Sequence, residues 1–228
     1  MLKNDSKIFL KPINIEIMPA KNEHIKGIKI LMKEFYQDEP VFNAQKIDVE
    51  TLDESFFDYD KFIKNDMTFV AIDTSNNTVA SLATNEIIKS DYSVVHREEA
   101  DLKYKSNTNL YRTLRLGVSI ETEPCLFKIF NVNKILEIRT LATLQKYRGY
   151  GISKALAKCA FLAALNNDSI SIIRIDCTNY FSSLIARELG MECVVKKHLS
   201  EYKDEKGQPW INIPKKPNDL LQIFVFRK

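Results

Sequence analysis

The sequence lacks any cysteine pair spaced as a metal knuckle or a redox motif. Its four cysteines, Cys125, Cys159, Cys177 and Cys193, stand far apart, and its three histidines, His24, His96 and His198, are isolated from one another. A Cys/His zinc site is thereby excluded, free thiols in a reducing cytosol are the expected state, and no histidine is favoured for catalysis. Long apolar runs are also missing. No stretch reaches the ~18 apolar residues of a membrane span, and lysines break every apolar run of "MLKNDSKIFLKPINIEI", so neither a secretory leader nor a transmembrane anchor is read there. Nor does one sign of charge prevail: 33 Lys+Arg against 30 Asp+Glu leave a net +3, too little for a nucleic-acid-binding surface, though enough to draw in an anionic cofactor. Internal repeats and low-complexity linkers are absent. What remains is a soluble, cytoplasmic protein, a monomer or weak dimer, whose partners are small molecules.

What is present is material for a core. With 228 residues, 45% of them apolar and 10% aromatic, the chain suits a single domain spanning 1–228. "INIEIMPA" (13–20) alternates as a half-buried strand, and Asn22 is placed to cap a helix carrying Ile25, Ile28, Leu31, Met32 and Phe35 inward, with Pro40 beyond its end. A second amphipathic helix is expected over about 48–64, with Leu52, Phe56, Phe57 and Phe62 inside. Two strand-like runs around Ser75-Asn76-Asn77 predict a hairpin. Residues of about 91–134, charged at first and broken by Pro124, predict a helical insertion capping a site. Then follow a strand (135–144), a helix (Ile152 to about Leu165), a strand (171–178), a helix ended by Gly190, and two strands. This order is α/β, a mixed central sheet with helices on both faces, without full Rossmann alternation.

One loop carries chemistry. In "LQKYRGYGISKAL" (144–156), Gly149 and Gly151 follow a strand and open a helix, so bare backbone amides and the positive end of a helix dipole converge on one spot. That is an anion site, suited to phosphate or pyrophosphate, with Arg148 and Lys146 adding charge. A P-loop would need Gly-Lys-Ser/Thr where Gly-Ile-Ser stands, and a Rossmann fingerprint would need glycine where Lys154 stands. The bland alternative is a plain turn punctuated by glycine.

"RGYGIS" after "LEIRTLATLQKY", together with "CTNYFSSLIARELGME", resembles the GCN5-related N-acetyltransferase superfamily, whose signature is Arg/Gln-x-x-Gly-x-Gly/Ala. Two frames fit: Arg148 to Ser153 with serine last, or Lys146 to Gly151 with lysine first. "FYQDEP" and "CTNYFSSLIARELG" look most like the insect arylalkylamine (dopamine) N-acetyltransferase-like branch. The resemblance implies the N-acetyltransferase (acyl-CoA) fold, with acetyl-CoA as donor cosubstrate and no metal. The loop residues Lys146, Arg148, Gly149, Tyr150, Gly151, Ile152 and Ser153 would hold its pyrophosphate. The backbone of Leu141, Ala142 and Thr143, on a strand that splays from its neighbour, would hold the pantetheine arm and polarise the thioester.

For the acceptor, an alkylamine of pKa ~10 is about a thousandth neutral at pH 7, a handicap of roughly 4 kcal/mol that a positioned base helps remove. By the resemblance that base is Glu39 in "QDEP", whose alternative is a solvent-exposed acid before proline, with Asp38 the likelier surface residue. The tyrosine by which many members protonate the leaving thiolate matches Ala186 here, a departure from the pattern. Ser182 and Thr178 match two serines of the dopamine branch, and Asn179 matches the asparagine beside the pantetheine; helix capping is the competing role for these three, and Ser183 opens the same helix alongside Ser182. Phe35, Tyr36, Phe42, Phe56 and Phe57 are core by default, and those flanking Glu39 also suit an aromatic amine. The expected reaction is acetyl transfer to the primary amine of a small arylalkylamine by direct attack in a ternary complex. The alternatives are a polyamine or agmatine acceptor and a non-catalytic acyl-CoA-binding protein.

Overall fold

The structure is a computed structural model that describes residues 14–57, 63 and 67–228. The alternating isoleucines form β1 (Ile15–Pro19), and a 3-10 turn, Asn22–His24, leads into α1 (Ile25–Asp38). The cap expected at Asn22 is not used. Asn22 lies inside the turn, where His24 Nδ1 accepts from the Lys21 amide at 3.0 Å. α1 buries Ile28, Leu31 and Met32, one face of the predicted stripe. Pro40 disfavours helical backbone at Glu39, which is extended with ψ 127, and its own fixed φ suits a first helical position, so Pro40 opens α2 (Pro40–Ala44).

Over 48–57 the amphipathic helix expected for 48–64 gives way to other structure, while Ile63 is helical. Short 3-10 turns stand at Val49–Thr51 and Glu54–Phe57, the first capped by Asp48 Oδ1, which takes the Glu50 amide at 3.1 Å before Leu52 returns to extended backbone. Local side-chain capping wins over the helical period. Leu52, Phe56 and Phe57 still pack inward, while Phe62 lies outside the described residues.

The hairpin joins β2 (Phe69–Asp73) to β3 (Thr78–Ile88) through a turn with Asn77 at φ 56. Next come α3 (Tyr92–Glu99), a π-helical turn Ala100–Tyr104, α4 (Thr108–Glu121) and α5 (Leu126–Phe130). β4 (Ile135–Thr143), α6 (Ile152–Leu165), β5 (Ile172–Cys177), α7 (Tyr180–Glu188), β6 (Glu192–His198) and β7 (Leu220–Arg227) complete the chain. The sheet has seven strands in the order β1-β2-β3-β4-β5-β7-β6, mixed as expected, with β4 and β5 parallel. On one face α6 and α7 set Ala160, Phe161 and Ala186 against Leu136, Ile138, Ile173 and Phe224. On the other, α4 sets Leu116 and Ile120 against Ile135, Ile172 and Ile223. Strand alternation sends successive residues of β4 and β5 to these two faces.

One irregularity positions the site. β4 and β5 pair at Leu136↔Ile173, Glu137↔Arg174 and Ile138↔Ile175, and there the ladder stops although both strands continue. β4 stays with β3 as far as Ser81↔Thr143, and β5 stays with β7 as far as Cys177↔Gln222. Thr84 pairs with Thr140 but Asn85 with Ile138, so Arg139 is an extra residue that bends β4 at the fork. Beyond it, Thr140–Thr143 present backbone toward a gap between two strands.

Candidate active site

The glycine loop stands at the mouth of that fork. A 3-10 turn, Gln145–Tyr147, brings the chain from β4 to Gly149 (φ 81) and Gly151 (φ 77), both in the left-handed region that a side chain strains to enter. Gly151 occupies the N-cap of α6, and the first bond of that helix runs from the Ala155 amide to the Gly151 carbonyl at 3.0 Å, so the amides before Ala155 have no helical partner. A Cβ built on Gly149 would meet nothing within 4 Å. The loop therefore has open space above donor amides at a helix N-terminus, which fits a phosphate group.

The residues assigned to the loop divide by what their side chains do. Ile152 is buried in the core, so it has only its amide for a ligand, while Tyr150 is half-buried with its ring against that core. Lys146 is exposed, its Nζ 4.9 Å from the centre of the Tyr147 ring. Arg148 donates from Nε to the Thr143 carbonyl at 3.0 Å and from Nη1 to Asp38 Oδ2 at 2.9 Å. Asp38, expected as a surface residue, is half exposed and ion-paired to the loop.

Ser153, the departure from Gly/Ala in the signature, turns inward. Ser153 Oγ, Thr143 Oγ1 and Ser81 Oγ form a chain with 2.6 Å between neighbours, and Ser81 donates to the Ala142 carbonyl at 2.6 Å. Each hydroxyl has one hydrogen. Since Ser81 spends its hydrogen on a carbonyl, Thr143 must donate to Ser81 and Ser153 to Thr143. The Ser153 hydroxyl thus locks α6 to the strand end and has no hydrogen left for an anion. The turn is held from two further sides: Tyr147 donates to Asp73 Oδ2 at 2.6 Å, and the Gln145 amide donates to Glu34 Oε1 at 2.5 Å. The Ser75 hydroxyl, then Tyr147, hold the Asp73 carboxyl down at about 2.

Glu39 follows Asp38, the residue ion-paired to the loop. Its Oε2 accepts the Phe42 amide at 2.8 Å, so it is the N-cap of α2, and burial pushes its carboxyl up to about 7 against the pull of the Phe42 and Val41 amides. A carboxyl poised there changes charge near neutral pH. Phe42, next to it, joins Tyr36, Phe56 and Phe57 in an aromatic cluster with Tyr36 centroids 4.5–5.8 Å from these rings. Val41 faces the other way, into a cluster with Leu116, Tyr202 and Trp210. The far end of α2 is tied down by buried Gln45, whose carbonyl takes Asn109 Nδ2 at 2.9 Å and whose Oε1 takes the Asn212 amide at 2.9 Å. α4 and the β6–β7 connection are thereby knitted to the segment carrying Glu39.

At the start of α7, Asn179 Oδ1 caps the Phe181 amide at 2.8 Å, Ser182 donates to the Asn179 carbonyl at 2.7 Å, and Ser183, buried, donates to the Tyr180 carbonyl at 2.7 Å. The capping role is realised in Asn179 alone, the two serine hydroxyls donating back to carbonyls of the first turn, while Thr178 lies in the bend before the helix. Ala186 is fully buried among Leu136, Ile138 and Phe224, which explains why no tyrosine stands there: the ring would have no space.

Sequence reasoning missed a group of charged residues beneath the fork. Arg139, the bulge residue, has Glu137 Oε2 and Glu121 Oε1 at 3.4 Å, Glu86 Oε2 at 3.6 Å and the Tyr92 ring at 5.1 Å. Tyr92 donates to Glu86 Oε2 at 2.8 Å, and His96, far from isolated, has Nδ1 2.8 Å from Glu121 Oε1. Deeper, Arg174, 2% exposed, grips both oxygens of Asp176 at 2.7 Å and donates to the Ile120 carbonyl at 2.9 Å. Burial, then the charge of Asp176, hold the Glu137 carboxyl well above the ordinary carboxylate range. The only signal in the sequence was charged residues at inward positions of two strands, "LEIR" and "IRID".

No family model and no curated protein matches the sequence. Solved structures do match its fold. Arylalkylamine N-acetyltransferase 2 from Aedes aegypti superposes with a TM-score of 0.81 at 22% identity, covering 94% of this chain and 99% of that one. Drosophila melanogaster polyamine N-acetyltransferase, described as catalysing the formation of N-acetylagmatine, gives 0.79 at 18% identity over 94% and 100%. Arabidopsis thaliana NAA60 in complex with acetyl-CoA gives 0.57 at 13% over 94% and 99%. The chain has the N-acetyltransferase fold, and the resemblance read from "RGYGIS" and "NYFSSLIARELG" is borne out at the level of fold.

Proposed function

We propose that this protein transfers an acetyl group from acetyl-CoA to the primary amine of a small arylalkylamine. The observation that carries the reading is a juxtaposition: a β4–β5 fork opens beside unpartnered α6 amides, and the loop there is ion-paired through Arg148 to Asp38, next to a Glu39 carboxyl held at about 7. Bound acetyl-CoA supplies the activated acetyl thioester. The amides of Gly149, Gly151, Ile152 and Ser153 cradle its pyrophosphate, with Arg148 and Lys146 supplying positive charge. The backbone of Leu141–Thr143, left free by β5, receives the pantetheine arm, and an amide there steadies the thioester oxygen as charge develops.

Glu39 takes the proton from the ammonium of the acceptor, directly or through water, and the freed amine attacks within the ternary complex. Its Oε1 serves for this while Oε2 remains on the Phe42 amide. The departing thiolate is protonated by Ser182, Thr178 or water; Ser182 must first turn from the Asn179 carbonyl. The aromatic cluster around Tyr36 favours an aromatic acceptor. A second reading, an agmatine or polyamine acceptor, is favoured by the carboxylates that surround Arg139 and by the Drosophila enzyme of the same fold.

The test is thiol release from acetyl-CoA with tryptamine, dopamine, agmatine and spermidine. Release with an aryl amine supports the first reading, and release with agmatine or spermidine alone supports the second. Coenzyme A binding without release from any amine overturns both in favour of a binding protein.

A further inference from the structure

Arg139 raises a physical problem for an enzyme whose acceptor is a cation. The bulge places this guanidinium at the fork, its side chain 32% exposed, between β4 and the insertion helices α3 and α4. α1, whose C-cap is Glu39, packs against β3 and β4, so the bulge arginine and the carboxyl that receives the amine stand on neighbouring elements beside the fork. An uncompensated arginine there would repel an ammonium and attract a carboxylate.

The structure compensates it from three elements. Glu86 on β3, Glu137 on β4 and Glu121 on α4 each come within 3.4–3.6 Å, and the Tyr92 face lies 5.1 Å away. Two of these acids are themselves held in place by the insertion, Glu86 by Tyr92 and Glu121 by His96, both at 2.8 Å. Glu121 has a further oxygen, Oε2, that is buried and takes no hydrogen bond among the described residues. Arg174 does not share this duty, because Asp176 binds it through both oxygens.

We propose that Arg139 and its Glu86–Glu121 clamp form a specificity device, which masks the arginine so that the cleft accepts an amine and rejects the corresponding amino acid, whose carboxylate lies beside the amine. This rests on the acetyltransferase reading and adds to it the chemical class that is refused. Glu86 and Glu121 are positioning residues: they act through Arg139. With either acid neutralised, the negative charge around Arg139 falls by one unit, so a carboxylate brought by the ligand is repelled less and competes better for the guanidinium.

The experiment compares kcat/KM, and binding by calorimetry, for tyramine against tyrosine and for tryptamine against tryptophan. Wild type, Glu86→Gln, Glu121→Gln, Arg139→Gln and Arg139→Lys are compared, with thermal melting to confirm folding. Each glutamine variant of the acids is expected to lower the amine-over-amino-acid preference by about tenfold, through both a weaker amine and a stronger amino acid. Arg139→Gln in the Glu86→Gln background restores the preference, and Arg139→Lys keeps it near wild type. Glu86, the more exposed of the two acids, carries the test if Glu121→Gln does not fold. Amine turnover with a preference unchanged in Glu86→Gln and Arg139→Gln overturns this proposal alone. Absence of turnover with every amine, in protein that still binds coenzyme A, overturns the acetyltransferase reading and this proposal with it.

Discussion

Arg148 Nη1 and Asp38 Oδ2 lie 2.9 Å apart, joining the glycine loop to the residue before Glu39. Both side chains are close to half exposed, so the pair itself contributes only about 0–1 kcal/mol to stability. Its consequence is for binding, because a guanidinium shared with Asp38 is less available to a phosphate. Asp38→Asn is expected to leave the melting temperature nearly unchanged and to tighten coenzyme A binding severalfold at low salt. Arg148→Ala should weaken it by about tenfold, as expected for one lost charge-assisted contact. Isothermal titration at two salt concentrations checks both.

Glu39→Gln should lower kcat/KM by about 100-fold or more, the usual range for a lost general base, and abolish an acid limb with an apparent pKa of about 7 in the pH–rate profile. The stability effect has the opposite sign. A carboxyl raised from 4.5 to about 7 favours the folded state only while protonated, a contribution complete below 4.5 and lost as pH rises through 7. Glu39→Gln should therefore melt higher than wild type above pH 7 and similarly below 4.5. A mutant that keeps wild-type activity rules out Glu39 as base.

Asp73 behaves in reverse. Held down from 3.8 to about 2 by Ser75 and Tyr147, it contributes stability that is present above 3.8 and lost as pH falls toward 2. Asp73→Asn should be less stable at neutral pH and should lack the wild-type change in that window, as followed by chemical denaturation at stepped pH. Because Tyr147 would lose its anchor on the turn before Gly149, Tyr147→Phe is expected to raise KM for acetyl-CoA severalfold with little change in kcat.

The hydroxyl chain predicts an unusual result for a residue in a phosphate loop. Ser153→Ala removes a hydrogen that already serves Thr143, so coenzyme A affinity should change by less than about threefold while stability falls by about 1 kcal/mol, the net value of one hydrogen bond. A large loss of affinity without loss of stability would mean that the hydroxyl turns outward to the ligand.

Much of this was open to reading because it is local. The period of Ile28, Leu31 and Met32, the asparagine-rich turn at Asn77 and the glycines that end β4 and start α6 act over a few residues, and each stands in the structure where the chain places it. Over 48–57 the expected helix gives way to 3-10 turns for an equally local reason, a competing cap from Asp48. Tyrosine's absence at position 186 was visible, but its cause, a full core around Ala186, was not.

The sequence by itself determined the α/β order, the glycine loop and the acid before Pro40, since propensity, capping and backbone freedom are properties of short segments. Only the tertiary structure decided what those parts face. Arg148 meets Asp38 across 110 residues of chain, Ser153 reaches Ser81 through Thr143, and Arg139 becomes a problem and a device only when β3, β4 and α4 bring Glu86, Glu137 and Glu121 around it. Charge compensation and hydrogen accounting depend on distance in space, which no periodicity along a chain encodes.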